Sequence, residues 1–256
     1  MSLPRRPWFA RPLGILALAM IRVVLSTVLL LVYGLRRSAA LAYVEARGNV
    51  EFVPAADWWP HWSRTVIDIS IINEDECDLN RITALHEAAS LNLIRCKFAD
   101  GSFPAVRRFT RLQHLGLGFS KISGIELQLL QGLPLKELWL THTRVSDADL
   151  HCLAGLPVRE LSLGSTAITD DGLRELRGLP LEKLWLDHTR ITDAGLAHLR
   201  ELPLRHLSLN YTPISDDGLR HLDETAITQL SLLETRVTAA SRRMRNRTAR
   251  IIELGN

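Results

Sequence analysis

The sequence is poor in cysteine, and this excludes two common ways of stabilising a small fold. Its three cysteines, at positions 77, 96 and 152, are too few and too scattered for a disulfide scaffold or a zinc module. Charged residues make up 23% of the chain and hydrophobic residues 46%. That balance also excludes a disordered or collagen-like chain, so the protein must bury an ordinary hydrophobic core.

The short motifs that mark common enzymes are absent as well. His86-Glu87 begins like a zinc-protease helix, but no second histidine follows at the required spacing. Gly116-Leu117-Gly118 lacks the third glycine of a dinucleotide-binding loop. There is no phosphate loop and no G-x-S-x-G nucleophile motif. The sequence therefore predicts no catalytic residue, no metal site and no cofactor, and it favours a protein that is not an enzyme.

Charge is unevenly distributed along the chain, although the overall net charge is only +3. Residues 1–50 contain seven Arg and one Glu, a net charge of +6. Residues 51–235 contain 18 Lys and Arg against 26 Asp and Glu, a net charge of −8. Residues 236–256 contain six Arg and one Glu, a net charge of +5. An acidic body between two basic ends indicates three parts with different roles.

A long apolar run near the N-terminus predicts a membrane-directing helix. Residues 13–35 contain a single charge, Arg22, and as a helix they would extend roughly 34 Å, enough to cross a hydrocarbon core of about 30 Å. Arginines flank the run, and Trp8 and Tyr33 lie near its ends, where aromatic rings favour the membrane interface. The interpretation we favour is a transmembrane signal anchor within residues 1–37. It implies a single-pass membrane protein with the rest of the chain outside the cytoplasm.

Two alternatives remain open for this run. Arg22 is costly near the centre of a bilayer, so residues 23–35 could instead be the apolar core of a signal peptide cleaved near Ser38-Ala39-Ala40. The protein would then be secreted or periplasmic. The run could also be a buried helix of a soluble protein.

The region after the run, residues 38–65, predicts a linker and an N-terminal cap. Its first part is rich in Ala and suits a short helix over 39–47, and residues 50–53 alternate like a short strand. Three tryptophans then follow within five positions, Trp58, Trp59 and Trp62. They favour a cap that covers the open end of a core, although a cluster that grips a ligand is the alternative.

The remainder of the chain is built from repeats, and this periodicity predicts the fold. Four segments align without gaps at a period of 23 residues, a fifth keeps the pattern almost to its end, and weaker units bring the total to about eight over residues 66–249. Residues 250–256 would end the C-terminal cap. The best units are 112–134, 135–157, 158–180, 181–203 and 204–226.

The repeat pattern L-x-x-L-x-L-x-x-T-x-I-T-D-x-G-L-x-x-L-x-x-L-P resembles the leucine-rich repeat, in which a strand is followed by a helix or 3₁₀ turn. More closely, it resembles the Cys- and Thr-containing subtype found in membrane-anchored or exported bacterial proteins. The resemblance implies an α/β solenoid, a horseshoe with a parallel concave β-sheet and short convex helices. It also implies that the chain binds a protein or peptide.

Polar positions within the repeat have predicted structural roles. A buried threonine turns the chain after each strand, and its hydroxyl can bond the backbone of the next turn. A Ser or Thr then caps the following helix, and an Asp in the first turn meets the positive helix end, so each Asp is explained without calcium. The turning threonines are Thr143, Thr166, Thr189 and Thr212. The first-turn aspartates are Asp147, Asp170, Asp193 and Asp216.

The outward positions of the strands predict a binding surface. Trp139 and Trp185 occupy equivalent positions two units apart, so they are expected about 10 Å from each other across a shallow gap at Ser162. Large exposed rings are typical of binding hot spots, although duplication of a surface Trp is the alternative. The predicted ligand-contacting residues are Trp139, Trp185, His142, His188, Phe119, Tyr211 and Ser162.

Three further hypotheses remain beside a concave-face recognition module. The repeat subtype also resembles that of F-box proteins, which would make the chain a substrate adaptor for ubiquitin ligation, but the apolar run occupies the place of an F-box. An enzyme that uses the solenoid as a platform is the second. The third concerns the Arg-rich tail after residue 236, which suits a polar cap better than a nucleic-acid patch. The identity of the partner and the oligomeric state stay open.

Overall fold

The computed structural model is organised around one long sheet that receives a strand from every repeat. It describes residues 12–52, 66–72, 76–239, 241 and 250–251. The strands of the main sheet follow the order β1-β2-β4-β6-β7-β8-β9-β10-β11-β12, and all neighbours are parallel except β1 and β2. The short strands β3 and β5 pair separately. The strands are β1 (Gly48–Phe52), β2 (Val66–Ile72), β3 (Glu76–Cys77), β4 (Ser90–Ile94), β5 (Lys97–Phe98), β6 (His114–Gly116), β7 (Glu137–Trp139), β8 (Glu160–Ser162), β9 (Lys183–Trp185), β10 (His206–Ser208), β11 (Gln229–Ser231) and β12 (Arg250–Ile251).

Short helices return the chain along the other side of the sheet, as predicted for a leucine-rich repeat solenoid. Some are α-helical and others are 3₁₀, because each has only one or two turns between an N-cap and the next strand. The short α-helices are α2 (Gly124–Gln128), α3 (Asp170–Glu175) and α4 (Asp216–Arg220), and the long helix α1 (Pro12–Glu45) precedes the repeats. The 3₁₀ helices are Leu79–Leu85, Phe103–Arg108, Asp147–Leu153 and Asp193–Leu199.

The core is a stack of leucines that the 23-residue period places in exact register. The central residue of each strand points inward, and successive strands pair these residues directly with one another. Each of them is fully buried, so the sheet and the helices share one continuous core. Burial of a Leu side chain stabilises by about 2 kcal/mol, which makes this stack the main source of stability. The stacked residues are Leu115, Leu138, Leu161, Leu184, Leu207 and Leu230.

The chain leaves each strand through a residue in the left-handed backbone conformation. Seven non-glycine residues at this repeat position have φ between 52° and 60°. The N–H groups of six of them, from Arg95 to Tyr211, donate to a carbonyl of the next unit, as His142 does to Gly164 at 2.9 Å. These residues are Arg95, Phe119, His142, Ser165, His188, Tyr211 and Glu234.

The turning threonines are buried, but their hydroxyls do not bond the next turn. The Thr143 hydroxyl donates to the carbonyl of Leu140, three residues earlier in the same unit, at 2.6 Å. Thr166, Thr189 and Thr212 make the equivalent bond at 2.5 to 2.6 Å. Each hydroxyl therefore satisfies a carbonyl that the sharp turn removes from the sheet ladder.

The Ser and Thr residues at the helix starts occupy the predicted N-cap positions and the aspartates lie in the predicted first turns, but the carboxylates also bond the next unit, which was not predicted. Asp170 accepts the backbone N–H of Thr192 at 2.8 Å and the Thr192 hydroxyl at 2.6 Å. Thr192 begins the helix of the next unit, so the carboxylate links two units as well as lying in its own first turn. The same pair of bonds joins Asp147 to Thr169, Asp193 to Ser215 and Asp216 to Thr238.

The C-terminal end of the N-terminal helix packs against the solenoid. The sequence predicts a separate short helix over 39–47, whereas α1 runs unbroken from Pro12 to Glu45. Its last turns pack on the 3₁₀ helix Leu79–Leu85, burying Ala40 and Val44 completely. The division of the chain into an anchor (1–37), a linker and cap (38–65) and a solenoid (66–249) stays a prediction. The side chain of Arg22, the tryptophans 58, 59 and 62, and the arginines from 242 to 247 lie outside the described residues.

Candidate binding surface

The concave face of the sheet carries four columns of side chains, each formed by one repeat position. The first two columns come from the outward residues of each strand, the third from the residue two positions after the strand, and the fourth from the left-handed residue that follows. Because neighbouring strands are paired in register, side chains of one column lie side by side across the units.

Trp139 and Trp185 lie in the second column and form a stacked pair. Their ring centroids are 5.4 Å apart with an interplanar angle of 29°, so the predicted separation of about 10 Å across an open gap is wrong. The strands themselves are two apart, as predicted, with Ser162 between them. The indoles lean together because serine is too small to separate them. Trp139 remains 45% exposed.

Ser162 lies beneath the two rings. It is 5% exposed, and its hydroxyl shares a hydrogen bond of 2.6 Å with the Thr141 hydroxyl. Its side chain therefore offers little surface to a ligand. The structure therefore gives Ser162 a supporting role in the observed state, and the ring pair is the accessible surface.

Two further stacked pairs occupy the fourth column. Phe119 stacks on His142 with centroids 4.3 Å apart, and His188 stacks on Tyr211 at 4.2 Å with an angle of only 7° between the planes. The left-handed backbone at each of these residues sets the direction of the side chain. Phe119, His142, His188 and Tyr211 are all exposed. The structure thus brings the predicted residues together in neighbouring pairs rather than in one cluster.

The first column is lined by charged and polar pairs. His114 and Glu137 are 2.8 Å apart, and Lys183 and Glu160 form an ion pair of 2.8 Å. The hydrogen bond from Lys183 to Glu160 raises the pKa of Lys183 above its ordinary value. These pairs flank the tryptophans on the side where the strands begin.

In the third column, Asp187 and Asn210 form hydrogen bonds that hold the backbone of neighbouring repeats. Asp187 accepts the Ser208 hydroxyl at 2.5 Å and the backbone N–H of Asn210 at 2.8 Å. The Asn210 side chain in turn accepts the N–H of Leu233 at 2.8 Å. Asp187 therefore holds neighbouring repeats together, and nothing pairs it with His188 for acid–base chemistry. Within the described residues, no group of three or more His, Cys, Asp or Glu side chains is placed to hold a metal ion.

A cavity at the N-terminal end of the concave face was not predicted from the sequence. Its volume is about 610 Å³, and its floor is formed at Gly116 and Gly118, where the neighbouring unit carries Trp139 and Thr141. The missing side chain at Gly118 leaves space open, because a Cβ there would meet only the Thr141 carbonyl oxygen at 3.5 Å, whereas the Asn92 side chain lies over Gly116. The two glycines of Gly116-Leu117-Gly118 are the sequence feature that accompanies this cavity.

Comparison with known proteins identifies the repeat and the fold. The model of the Leucine Rich repeat family matches residues 157–176 and 203–222. No curated protein sequence matches the chain. The solved structures similar to it include two internalins of Listeria monocytogenes. One is internalin F, with a TM-score of 0.50 and 20% identity over 74% of this chain and 59% of the internalin. The other is internalin C2, with a TM-score of 0.51 and 23% identity over 74% of this chain and 80% of that chain.

A third similar structure is the mouse RP105/MD-1 complex, with a TM-score of 0.50 and 18% identity over 72% of this chain and 37% of that chain. At these identities the likeness shows the fold alone. The chain spans 59% of internalin F, so the similarity covers only part of that protein.

Proposed function

We propose that this chain, which is a leucine-rich repeat protein, is a non-enzymatic, membrane-anchored module that recognises a protein or peptide through its concave face. The observation that carries the proposal is the set of exposed aromatic pairs in two columns of that face. Trp139 and Trp185 form one pair, and Phe119, His142, His188 and Tyr211 form the other two.

Two properties of the rings favour binding: their contact with water is costly, and they are already held in stacked positions before a partner arrives. An exposed Trp leaves apolar area in contact with water, and a partner that covers it recovers about 25 cal/mol per Å². The rings are already stacked, so a partner pays little conformational entropy to order them. Tryptophan and tyrosine are also the residues most enriched in binding hot spots. Exposed apolar area, ordered rings and hot-spot residue types together favour the binding of a protein or peptide.

The membrane anchor in the proposal rests on α1. The side chains at 23–25 and 28–33 are exposed and nearly all apolar. By length and composition, Val23–Glu45 can cross a membrane, although a signal sequence or a buried helix passes the same test. Docking of the helix end supports retention, because cleavage near Ala40 would remove Arg37, which is 2% exposed and paired with Glu87. We therefore propose a single-pass protein whose solenoid lies outside the cytoplasm.

Peptide selection on the full-length protein tests the recognition claim. A phage library of random twelve-residue peptides would be selected on the chain held in detergent micelles, and the affinity of the enriched peptides measured. Replacing Trp139 and Trp185 together with Ala should weaken binding by about tenfold or more, since hot-spot truncation costs about 2 kcal/mol.

The matched control is Ile125→Ala. Ile125 is 74% exposed, but it lies on the short helix α2 away from the concave face. This variant should bind like the unaltered chain. Enriched peptides that bind the double Trp variant with unchanged affinity would show that the aromatic pairs are not the recognition surface.

A further inference from the structure

We propose that the cavity at Gly116 and Gly118 receives a basic side chain, lysine or arginine, of the bound protein or peptide. The inference rests on the proposed recognition function and names one chemical feature of the partner. Three features of the cavity carry it: its shape, its aromatic wall and its charge.

The shape comes from small residues in two columns of the concave face: Gly118 leaves its position open, whereas the Asn92 side chain lies over Gly116. In the second column Gly116 lies between Asn92 and Trp139, and in the third column Gly118 is followed by Thr141. The resulting space of about 610 Å³ is within the size range of sites that hold a small ligand or an anchoring side chain. It opens on the same face as the proposed peptide-binding surface, so one extended ligand can contact both.

The aromatic wall is formed by Trp139 and Phe119, which both line the cavity. Trp185 stacks on Trp139 across Ser162, so the side of the indole towards Gly116 is left to border the cavity. Phe119 is already contacted by the His142 ring, at 4.3 Å between centroids, and by the Arg95 guanidinium, 5.4 Å from its centroid, so Trp139 is the ring that can meet a further cation. An ammonium or guanidinium group gains about 0.5 to 2 kcal/mol from such a ring.

The charge of the lining is negative. Glu51, Asp68 and Glu137 contribute carboxylates, and none of the described residues that line the cavity is Lys or Arg. Only His114, which contacts Glu137 at 2.8 Å, offers a titratable nitrogen. A cation that enters this cavity therefore finds complementary charge, which an anionic or apolar group would not.

Among the carboxylates that line the cavity, Asp68 has a buried oxygen that accepts no hydrogen bond from the described residues. One oxygen accepts the Ser90 hydroxyl at 3.0 Å, whereas the other is buried without a hydrogen-bond partner among the described residues. A buried polar atom in that condition is destabilising. A basic side chain in the cavity would compensate it by charge. The position of Asp68 on β2, next to the Ser90 strand, places this charge at the N-terminal wall of the cavity.

Position-fixed peptide libraries test the proposal on the full chain in detergent micelles. Each library carries one central residue, Lys, Arg, norleucine or Glu, between randomised neighbours. The Lys and Arg libraries should bind about tenfold more tightly than the norleucine library, and the Glu library should bind least. Asp68→Asn combined with Glu51→Gln should remove this preference, and Gly118→Leu should remove it by filling the space, since a Cβ there meets only the Thr141 carbonyl at 3.5 Å.

Two controls separate this inference from the proposed function. Glu160→Gln removes an acidic side chain of the same face that is paired with Lys183 outside the cavity, and it should leave the Lys preference intact. Tyr211→Ala tests the aromatic surface alone, because Tyr211 stacks on His188 and neither residue lines the cavity. Binding that needs Tyr211 but shows no preference for Lys or Arg would overturn the cavity assignment and leave the recognition function standing.

Two other results would also overturn the assignment. One is the absence of measurable binding by any of the four libraries. The other is binding of spermidine through Asp68 as tightly as the Lys library binds, because the occupant would then be a free amine rather than a peptide side chain. Circular dichroism and thermal unfolding of each variant verify that the fold is retained.

Discussion

At the scale of single residues, the repeat motif Thr-Asp-x-Gly works as a unit across neighbouring repeats. Asp170 reaches forward to the N-cap Thr192, and the carboxylate then lies directly against Gly195 of that next unit. A Cβ at Gly195 would be only 2.2 Å from the Asp170 Oδ1. Glycine is needed there because of this close approach, since Gly195 does not have a positive φ.

Gly195→Ala should therefore lower the free energy of unfolding by about 1 to 3 kcal/mol, the range expected for overpacking. The loss should shrink when Asp170→Ala is also present, because the second change removes the clashing carboxylate. Chemical denaturation of the two single variants and the double variant measures this coupling. Gly118→Ala is the matched control, with its nearest contact at 3.5 Å. Equal losses from Gly195→Ala in both backgrounds would contradict the link.

The same link predicts a pH dependence at Asp216. The backbone N–H of Thr238, and then the Thr238 hydroxyl, hold the pKa of the Asp216 carboxyl below its ordinary value of 3.8. A lowered pKa in the folded state means that the ionised carboxylate stabilises the fold above pH 3.8 and loses this effect as the pH falls through the lowered value. Asp216→Asn should be less stable than the unaltered chain at pH 6, and the difference should vanish towards pH 2.

Thermal unfolding of both proteins between pH 2 and pH 7 measures that difference. Asp217→Asn is the neighbouring control, because Asp217 pairs with Arg220 in its own helix and makes no bond to Thr238. A stability difference between Asp216→Asn and the unaltered chain that stays constant down to pH 2 would refute the role of the ionised carboxylate.

At the scale of secondary-structure elements, the sequence predicts the strands and helices of the repeat. It does not predict how side chains lean on one another or how α1 packs on the first repeat. The leucine spacing alone places Leu138 and Leu161 in the core, because alternate residues of a strand face the same side. The close approach of Trp139 to Trp185 depends on how two side chains lean over Ser162, which spacing does not determine. The continuous helix α1 escaped prediction for a similar reason, since its last turns are fixed by packing on Leu79–Leu85.

Arg37 attaches α1 to the first repeat, and its loss should loosen this junction. Its guanidinium contacts Glu87, the carbonyl of Ala84 at 3.2 Å and the Tyr33 hydroxyl at 3.3 Å. Arg37→Ala leaves the Glu87 carboxylate without this partner, which should cost about 2 kcal/mol or more. Hydrogen exchange in Leu79–Leu85 should become faster by about tenfold or more, because 1.4 kcal/mol corresponds to a factor of ten.

Arg36→Ala is the matched control, because Arg36 is the preceding residue of the same helix and is exposed. It should leave exchange in Leu79–Leu85 unchanged. If the two variants gave the same exchange rates in that segment, Arg37 would not be the attachment point.

At the scale of the whole molecule, the acidic middle and the basic N-terminal region correspond to different described parts of the structure. The acidic middle is the solenoid, where many carboxylates link repeats or line the concave face. The basic N-terminal region is attached to that solenoid at two places, because the last turns of α1 pack on the 3₁₀ helix Leu79–Leu85 and β1 pairs with β2.

The most direct test of concave-face recognition is site-specific photo-cross-linking in intact cells. A photoreactive benzoylphenylalanine would replace Lys183, which is exposed beside Trp185 on β9, or Ile125, which is exposed on the other side of the solenoid. Irradiation should give a covalent partner adduct at position 183 that disappears with Trp139→Ala, and no adduct at position 125. An adduct at 125 with none at 183 would contradict recognition through the concave face.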